Sequence, residues 1–257
     1  MTGREGWHGW DAYAAFYDWE NARTLGRRDV GFWRQLVRRE AAPVLELGCG
    51  TGRLLMPMAR TGVPVTGLDR SAPMLARAVA RAKRLPRSQR PCIVRGDIRV
   101  LPFRDAAFGV VMAPYGLLQS LVRPADLTQM LAESARVLRR DGLLGVDLVP
   151  DLPTWQEYRG LVSLKGRSER GGQITLVESV RQDRRRGLTI FDEEFTERRG
   201  RTVERRTFSL TFRTVALPAV VTELEAAGFR VDALLGDYRG AAWHDAADVW
   251  VIVARKS

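Results

Sequence analysis

A glycine-dense turn follows an apolar segment at residues 44–53, and it limits the possible folds more than any other part of the chain. The segment reads Val-Leu-Glu-Leu-Gly-Cys-Gly-Thr-Gly-Arg. Glycine adopts positive φ without strain and lets a ligand approach the main chain closely. Asp69 ends the next apolar segment about 20 residues later, where its carboxylate can accept hydrogen bonds from both hydroxyls of a ribose. The pattern predicts a strand, a nucleoside-binding turn and a helix.

Short apolar runs alternate with helical patterns from Ala42 onward, which is typical of βαβ units around a parallel sheet. The predicted strands cover 43–47, 63–68, 91–95, 108–113 and 143–149, and the predicted helices cover 52–60, 72–85 and 126–139. The pair Asp141-Gly142 indicates a turn after the last of these helices. A helix at 217–227 and strands at 229–235 and 248–254 complete an α/β fold.

Two regions interrupt this alternation. Residues 160–215 contain three polar-rich strand patterns, which predict a small antiparallel sheet. Residues 1–40 predict a helical cap, in which Tyr13 and Tyr17 share one helical face. That aromatic face either packs on the core or closes over a ligand. The predicted organisation is a cap at 1–40, a core at 41–159 and 216–257, and an inserted β lid at 160–215.

Two nucleoside cofactors compete for the glycine turn. A dinucleotide fingerprint requires a third glycine where this chain has Arg53. Glu46 places a negative charge beside the turn, and this charge opposes a diphosphate. S-adenosylmethionine carries a sulfonium and an ammonium, so the electrostatics favour it.

Three motifs resemble those of the class I S-adenosylmethionine-dependent methyltransferases. Residues 46–52 match the first motif of the family, E/D-x-G-x-G-x-G, without departure. Residues 68–75, Leu-Asp-Arg-Ser-Ala-Pro-Met-Leu, are similar to the acidic strand end of the family, and Gly96-Asp97-Ile98 followed by Leu101-Pro102-Phe103 resembles its third motif. The resemblance implies a doubly wound, Rossmann-like sheet of seven strands with the last strand antiparallel. It also implies that S-adenosyl-L-methionine is the methyl donor.

The resemblance also implies roles for individual residues. Gly48 and Gly50 would lie under the methionine part of the cofactor, and Glu46 would orient its amino group. Asp69 would hold the ribose. The adenine would lie near Met74, Asp97 and the Ile98 amide, and the remaining residues expected at the cofactor are Cys49, Arg70 and Ala113. Cys49 is expected to fill space without chemistry of its own.

The sequence reveals less about the methyl acceptor than about the cofactor. In this family the segment after the fourth strand, here residues 111–118, faces the transferred methyl group. Met112 stands where nucleic-acid amino-methyltransferases carry Asn or Asp, so the oxygen that accepts from a target amine is missing. The architecture is similar to small-molecule enzymes of the glycine/sarcosine and amino-sugar N-methyltransferase type, which implies methyl transfer to nitrogen or oxygen. The candidates for residues that line the acceptor pocket are Tyr17, Tyr115 and His244. His244 is the candidate for a general base. No catalytic residue is assigned.

The charge distribution leaves two alternatives open. The formal net charge is +11, and an arginine-rich surface that includes Arg77, Arg81 and Arg84 permits an RNA methyltransferase. Such a run is more typical of a solvated helix face, so nucleic acid is the less favoured partner. A non-catalytic S-adenosylmethionine-binding protein is the second alternative. Glu193 and Glu194 are interpreted as solvated strand charges.

Composition excludes several classes of protein. Two cysteines and two histidines are too few for a disulfide framework or a convincing metal site. No apolar run approaches the roughly 18 residues of a membrane helix, and the first ten residues lack a secretory pattern. We therefore expect a cytoplasmic protein without membrane contact, and a homodimer through the inserted sheet is a possible assembly.

Overall fold

A seven-stranded mixed sheet forms the centre of the molecule. The computed structural model describes residues 9–150, 157–168 and 171–257. The strands of this sheet are β1 (Val44–Leu47), β2 (Val65–Asp69), β3 (Cys92–Arg95), β4 (Phe108–Ala113), β5 (Leu138–Leu148), β10 (Phe229–Leu235) and β11 (Trp250–Lys256). They lie in the order β10-β11-β5-β4-β1-β2-β3, and β11 is antiparallel to both of its neighbours. The predicted fold class, a doubly wound sheet with its last strand antiparallel, is confirmed.

Within the described part of the chain, six α-helices surround the two sheets. They are α1 (Trp10–Asn21), α2 (Val30–Glu40), α3 (Leu55–Ala59), α4 (Ala72–Ala82), α5 (Pro124–Val137) and α6 (Leu217–Ala226). Every residue of β1 and β4 is buried, because helices cover both faces of a parallel sheet. Alternate β1 side chains enter opposite cores: Leu45 packs in the cluster that contains α5 and α6, whereas Val44 packs with residues of α2 and α3.

The inserted segment forms a separate antiparallel sheet of four strands, one more than the three predicted. These strands are β6 (Tyr158–Arg167), β7 (Gln173–Asp183), β8 (Leu188–Arg199) and β9 (Thr202–Arg213), paired in chain order. Strand β6 is an exposed edge strand without a clear apolar alternation. Helix α1 packs on this sheet, where the Phe16 and Phe195 rings stack at a centroid distance of 4.4 Å.

Two element boundaries differ from the prediction for backbone reasons. The fifth strand begins at Leu138, because Asp141 adopts a φ of 57° and the chain bulges there instead of turning out of the sheet. Helix α3 begins at Leu55, not at Gly52, because Gly52 has a φ of 80°. The predicted division into cap, core and lid stays a prediction, and residues 1–8, 151–156 and 169–170 of it lie outside the described residues.

No helix in the described ranges combines the length and the apolar character that crossing a bilayer requires.

Candidate active site

A cavity of about 350 Å³ opens where the carboxyl ends of β1, β2 and β4 meet. Open α/β sheets bind ligands at this edge. The cavity walls come from the loops after β1 to β4, from the exposed side of α1 and from the end of β9. They include Trp10, Tyr17, Glu46, Gly48, Cys49, Gly50, Arg53, Asp69, Arg70, Met74, Asp97, Ile98, Arg99, Pro114, Tyr115, Gly116, Leu117 and Phe212.

The glycine turn forms one wall of this cavity. Gly48 has a φ of 61°, which favours glycine, and a Cβ atom there would lie 2.7 Å from Cδ1 of Leu117, so the Leu117 side chain would have to move. The Asp69 carboxylate holds the turn in place, since it accepts hydrogen bonds from the backbone amides of Gly50 and Ser71, each at 2.8 Å. The turn after β1 is therefore fixed by the end of β2.

Glu46 places an uncompensated carboxylate in the cavity. The residue is only 3% exposed, and its Oε2 atom has no hydrogen-bond partner among the described residues. Its pKa is raised to about 8, chiefly by burial and also by the charges of Asp29 and Asp69, while Arg53 lowers it. A buried carboxylate oxygen without a donor is costly. A cationic ligand group would remove this cost.

Arg53 stands where a dinucleotide fingerprint has its third glycine, and its charge is already neutralised. Its guanidinium donates to both carboxylate oxygens of Asp29 at 2.6 Å, and the Asp29 side chain is fully buried. The same guanidinium lies 5.6 Å from the centre of the Tyr115 ring. Arg53 therefore fixes the loop before α2 and supports an aromatic wall of the cavity.

Tyr17 and Tyr115 form an edge-to-face pair at the cavity, with ring centroids 6.3 Å apart and an interplanar angle of 81°. Burial raises the pKa of both phenols, so both hydroxyls stay protonated at neutral pH. The backbone of Tyr115 has a φ of 61°. This strained conformation is uncommon for a residue other than glycine and tends to occur at functional sites.

Asp147 holds the loop that carries Tyr115. Its carboxylate accepts from the Gly116 amide at 3.0 Å and from the Tyr238 hydroxyl at 2.8 Å. Burial raises the pKa of Asp147 to about 6. Asp147 is not among the site residues predicted from the sequence, although a carboxylate within an apolar strand is a signal of a buried, hydrogen-bonded role.

The opposite end of the cavity carries an acidic group held by arginines. Asp97 accepts from Nε and Nη2 of Arg99, at 3.0 and 2.7 Å, and pairs with Arg70 at 3.3 Å. These hydrogen bonds from Arg99 hold the pKa of Asp97 below its usual range. Asp97 is therefore ionised and oriented, and Arg99 is a second site residue that the sequence motifs did not reveal.

The structure brings most of the predicted site residues together. Every predicted cofactor residue except Ala113 lines the cavity, as do the pocket candidates Tyr17 and Tyr115. Ala113 is buried in β4, directly before the lining residue Pro114. His244 does not line the cavity, which corrects its selection as a pocket candidate. It is exposed in a loop that is anchored by the packing of Trp243 on Trp250, with ring centroids 6.4 Å apart.

Asp18 attaches α1 to the glycine turn. Its carboxylate accepts from the Thr51 hydroxyl at 2.6 Å and pairs with Arg81 at 2.9 Å and Arg77 at 3.4 Å. The two arginines therefore do not form a simple solvated face, as the sequence suggested, because α4 directs them towards α1. Arg84, past the end of α4, is exposed.

We expect the Asp18→Ala variant to lower the free energy of unfolding by about 1–3 kcal/mol, because it removes the charge-assisted hydrogen bonds that Asp18 accepts from Thr51 and Arg81. Cleavage of α1 by protease should become faster. The matched control is Arg84→Ala, for which we expect a change within about 0.5 kcal/mol. Equal stability of the two variants in denaturant titrations would contradict the attachment.

Comparison with known proteins gives a consistent family assignment. Residues 44–142 match the family described as a methyltransferase domain. The 27-O-demethylrifamycin SV methyltransferase of Amycolatopsis mediterranei is 34% identical over 141 residues, which cover 54% of this chain and 49% of that protein. The chain spans about half the length, or less, of the first curated relatives it matches.

Two solved structures show that the likeness extends over nearly the whole fold. The CcbJ methyltransferase of Streptomyces caelestis has a TM-score of 0.79 at 22% identity, covering 90% of each chain. An amino pentose methyltransferase of Micromonospora echinaspora, solved with S-adenosylmethionine bound, has a TM-score of 0.73 at 21% identity, covering 94% of this chain and 96% of that one. The matched domain, the motifs and the sheet order together make the chain similar to the class I S-adenosylmethionine-dependent methyltransferases.

Proposed function

We propose that this protein transfers the methyl group of S-adenosyl-L-methionine to a small-molecule acceptor. The observation that carries the proposal is the unpartnered, buried carboxylate of Glu46 beside the glycine turn. A cofactor with a positively charged amino group fits this carboxylate, whereas a diphosphate does not. Asp69, at the end of the neighbouring strand, adds the acceptor that a ribose requires.

The cavity-lining residues fit the parts of this cofactor. Gly48 and Gly50 would lie under its methionine part, and Glu46 would bind its ammonium group. Asp69 retains lone pairs for the ribose hydroxyls, because its two carboxylate oxygens offer about four acceptor positions and the backbone hydrogen bonds do not use all of them. The adenine would be bounded by Met74, Asp97 and Ile98, with Cys49 and Arg70 nearby.

S-adenosylmethionine supplies a methyl group on a sulfonium, which is a good leaving group. The protein therefore has to orient the acceptor and exclude water. Tyr17 and Tyr115 can do both, since their neutral rings form a wall that α1 and the strained loop hold rigidly. Neither phenol is ionised at neutral pH, so their role would be positioning and hydrogen-bond donation, not proton abstraction.

A small acceptor is supported by the cavity volume of about 350 Å³ and by the names of similar proteins. The relatives include a methyltransferase of a demethylrifamycin and a methyltransferase of an amino pentose. The RNA alternative relied on exposed arginines, but Arg77 and Arg81 are engaged by Asp18. We find no observation that favours a protein that binds the cofactor without catalysis.

The predicted organisation is part of the same proposal. Residues 1–40 and the inserted sheet would cover the acceptor, while the seven-stranded sheet would hold the cofactor. A homodimer through the inserted sheet is supported by exposed Leu161 and Val162 on the edge strand β6. The cytoplasmic location stays a prediction.

We expect S-adenosylmethionine to bind with a dissociation constant on the order of micromolar and NAD to bind at least about a hundredfold more weakly. The reason is that Glu46 opposes a diphosphate and Arg53 is occupied by Asp29. Isothermal titration of both cofactors tests this expectation, and similar affinities would contradict it. Screening amines and alcohols for release of S-adenosylhomocysteine then tests the transferase activity itself.

A further inference from the structure

A group of buried carboxylates lies between α1 and the inserted sheet, outside the residues that line the cofactor cavity. Glu178 on β7 and Glu193 on β8 are direct partners in the antiparallel register. Side chains at such positions point to the same face of the sheet, with Cβ atoms about 4.5–5.5 Å apart. Two like charges placed directly opposite each other destabilise a sheet unless another group compensates them.

The face that carries these two glutamates also carries Glu197 and Arg206, and α1 covers its apolar part. Its members include Leu176, Phe195 and Phe208, which pack with aromatic residues of α1. Glu193 is only 4% exposed, so it is not the solvated strand charge that the sequence suggested. Its neighbour Glu194 lies on the other face of β8 with 41% of its side chain exposed.

Helix α1 adds a third carboxylate. Glu20 accepts a hydrogen bond of 2.5 Å from the Tyr13 hydroxyl, and Glu178 accepts one from the Tyr158 hydroxyl. Glu193 Oε2 is buried and has no hydrogen-bond partner among the described residues. Burial, followed by the charges of Glu20 and Glu178, raises the pKa of Glu193. The three carboxylates therefore act on one another, and the group lacks a donor for one buried oxygen.

The surroundings of this group indicate which ligand would compensate it. No three acidic, histidine or cysteine side chains of the described chain have a spacing that suits a metal ion. The rings of Tyr13 and Phe208, 5.8 Å apart, lie against the same face. Carboxylates combined with aromatic rings are suited to an organic ammonium group, through charge-assisted hydrogen bonds and cation–π attraction.

We propose that Glu20, Glu178 and Glu193 form a subsite for a protonated amine of the methyl acceptor. The subsite is one aromatic ring away from the cofactor cavity, because Tyr13 packs at 5.9 Å from the cavity-lining Tyr17. The inference rests on the proposed function and gives the substrate class: a small basic molecule that carries an ammonium group apart from its reacting atom.

Isothermal titration of the full chain with n-butylammonium chloride at pH 8 tests the subsite. We expect Glu193→Gln and Glu178→Gln each to weaken binding at least about tenfold, since each replaces a carboxyl group that can ionise beside the ammonium with a neutral amide of the same shape. Glu194→Gln is the matched control on the exposed face of the same strand and should stay within about twofold of the unchanged protein. Neutral n-butanol and potassium chloride at equal ionic strength should produce no comparable heat.

Two results would contradict the proposed subsite. Equal ammonium affinities of Glu193→Gln and Glu194→Gln would mean that no amine binds there, and that the carboxylates only share protons. Equal binding of potassium would mean that the site does not select an organic cation. Titration of the same samples with S-adenosylmethionine reports on the proposed function separately: loss of that binding alone would contradict the proposed function and not the cation site.

Discussion

Replacing Asp69 by alanine is expected to weaken S-adenosylmethionine binding by about two to four orders of magnitude. The variant would lose two charge-assisted hydrogen bonds to the ribose, each contributing on the order of 1.5–3 kcal/mol. It would also release the Gly50 and Ser71 amides, which the same carboxylate holds in the structure. Isothermal titration of the folded variant measures the loss.

A loss of affinity could also come from a disordered turn, so a second substitution is needed. Asp69→Asn keeps the size of the side chain and one acceptor oxygen, and we expect its affinity to lie between those of Asp69→Ala and the unchanged protein. Thermal unfolding without ligand shows how much the turn itself is weakened. If Asp69→Ala folds and binds S-adenosylmethionine as tightly as the unchanged protein, Asp69 does not hold the ribose.

The Tyr17→Ala variant is expected to lower kcat by about 10- to 100-fold, because small losses of reactant alignment have effects of this size. Its effect on stability should be small, roughly 1–2 kcal/mol, since Tyr17 is only partly buried at the cavity. Steady-state release of S-adenosylhomocysteine and the melting temperature are measured on the same preparation. Tyr17→Phe should retain most of the turnover if the ring, not the hydroxyl, positions the acceptor.

Phe16 provides the matched control on the same helix. It points into the cluster between α1 and the inserted sheet and stacks on Phe195, so Phe16→Ala should lower the unfolding free energy by about 3–5 kcal/mol. The melting temperature would fall by roughly 10 °C, while the folded fraction would keep its turnover. If Tyr17→Ala lowered the melting temperature as much as Phe16→Ala and left kcat unchanged, Tyr17 would have only a packing role.

The aromatic face of α1 illustrates how far sequence reasoning could reach. The spacing of Tyr13 and Tyr17 left open whether this face packs on a core or lines a ligand cavity. The structure divides the face: Tyr13 is buried against the inserted sheet, whereas Tyr17 lines the cavity. Helical periodicity predicts which residues share a face, but it does not predict where along that face the covering sheet ends.

The cofactor side of the molecule was more predictable than the acceptor side for a physical reason. The glycine turn, Asp69 and the third motif are local, because backbone conformation and strand ends determine them. The links of Asp18 to Thr51 and of Asp147 to Gly116 join segments about 30 residues apart. In the sequence, Asp18 and Asp147 look like ordinary acidic residues, and only the folded chain shows which groups they contact.

Helix α1 and strand β9, which together cover the acceptor side of the cavity, are about 190 residues apart in the sequence at their contact between Phe16 and Phe208. Closing so long a loop has an entropic cost that local contacts do not offset. We therefore expect this contact to form late in folding and to break early in unfolding. We expect the seven-stranded sheet to remain folded while the two covering elements separate. Entry and exit of ligands would then proceed by partial unfolding of the covering elements, and amide hydrogen exchange should be faster in α1 than in β1 or β4.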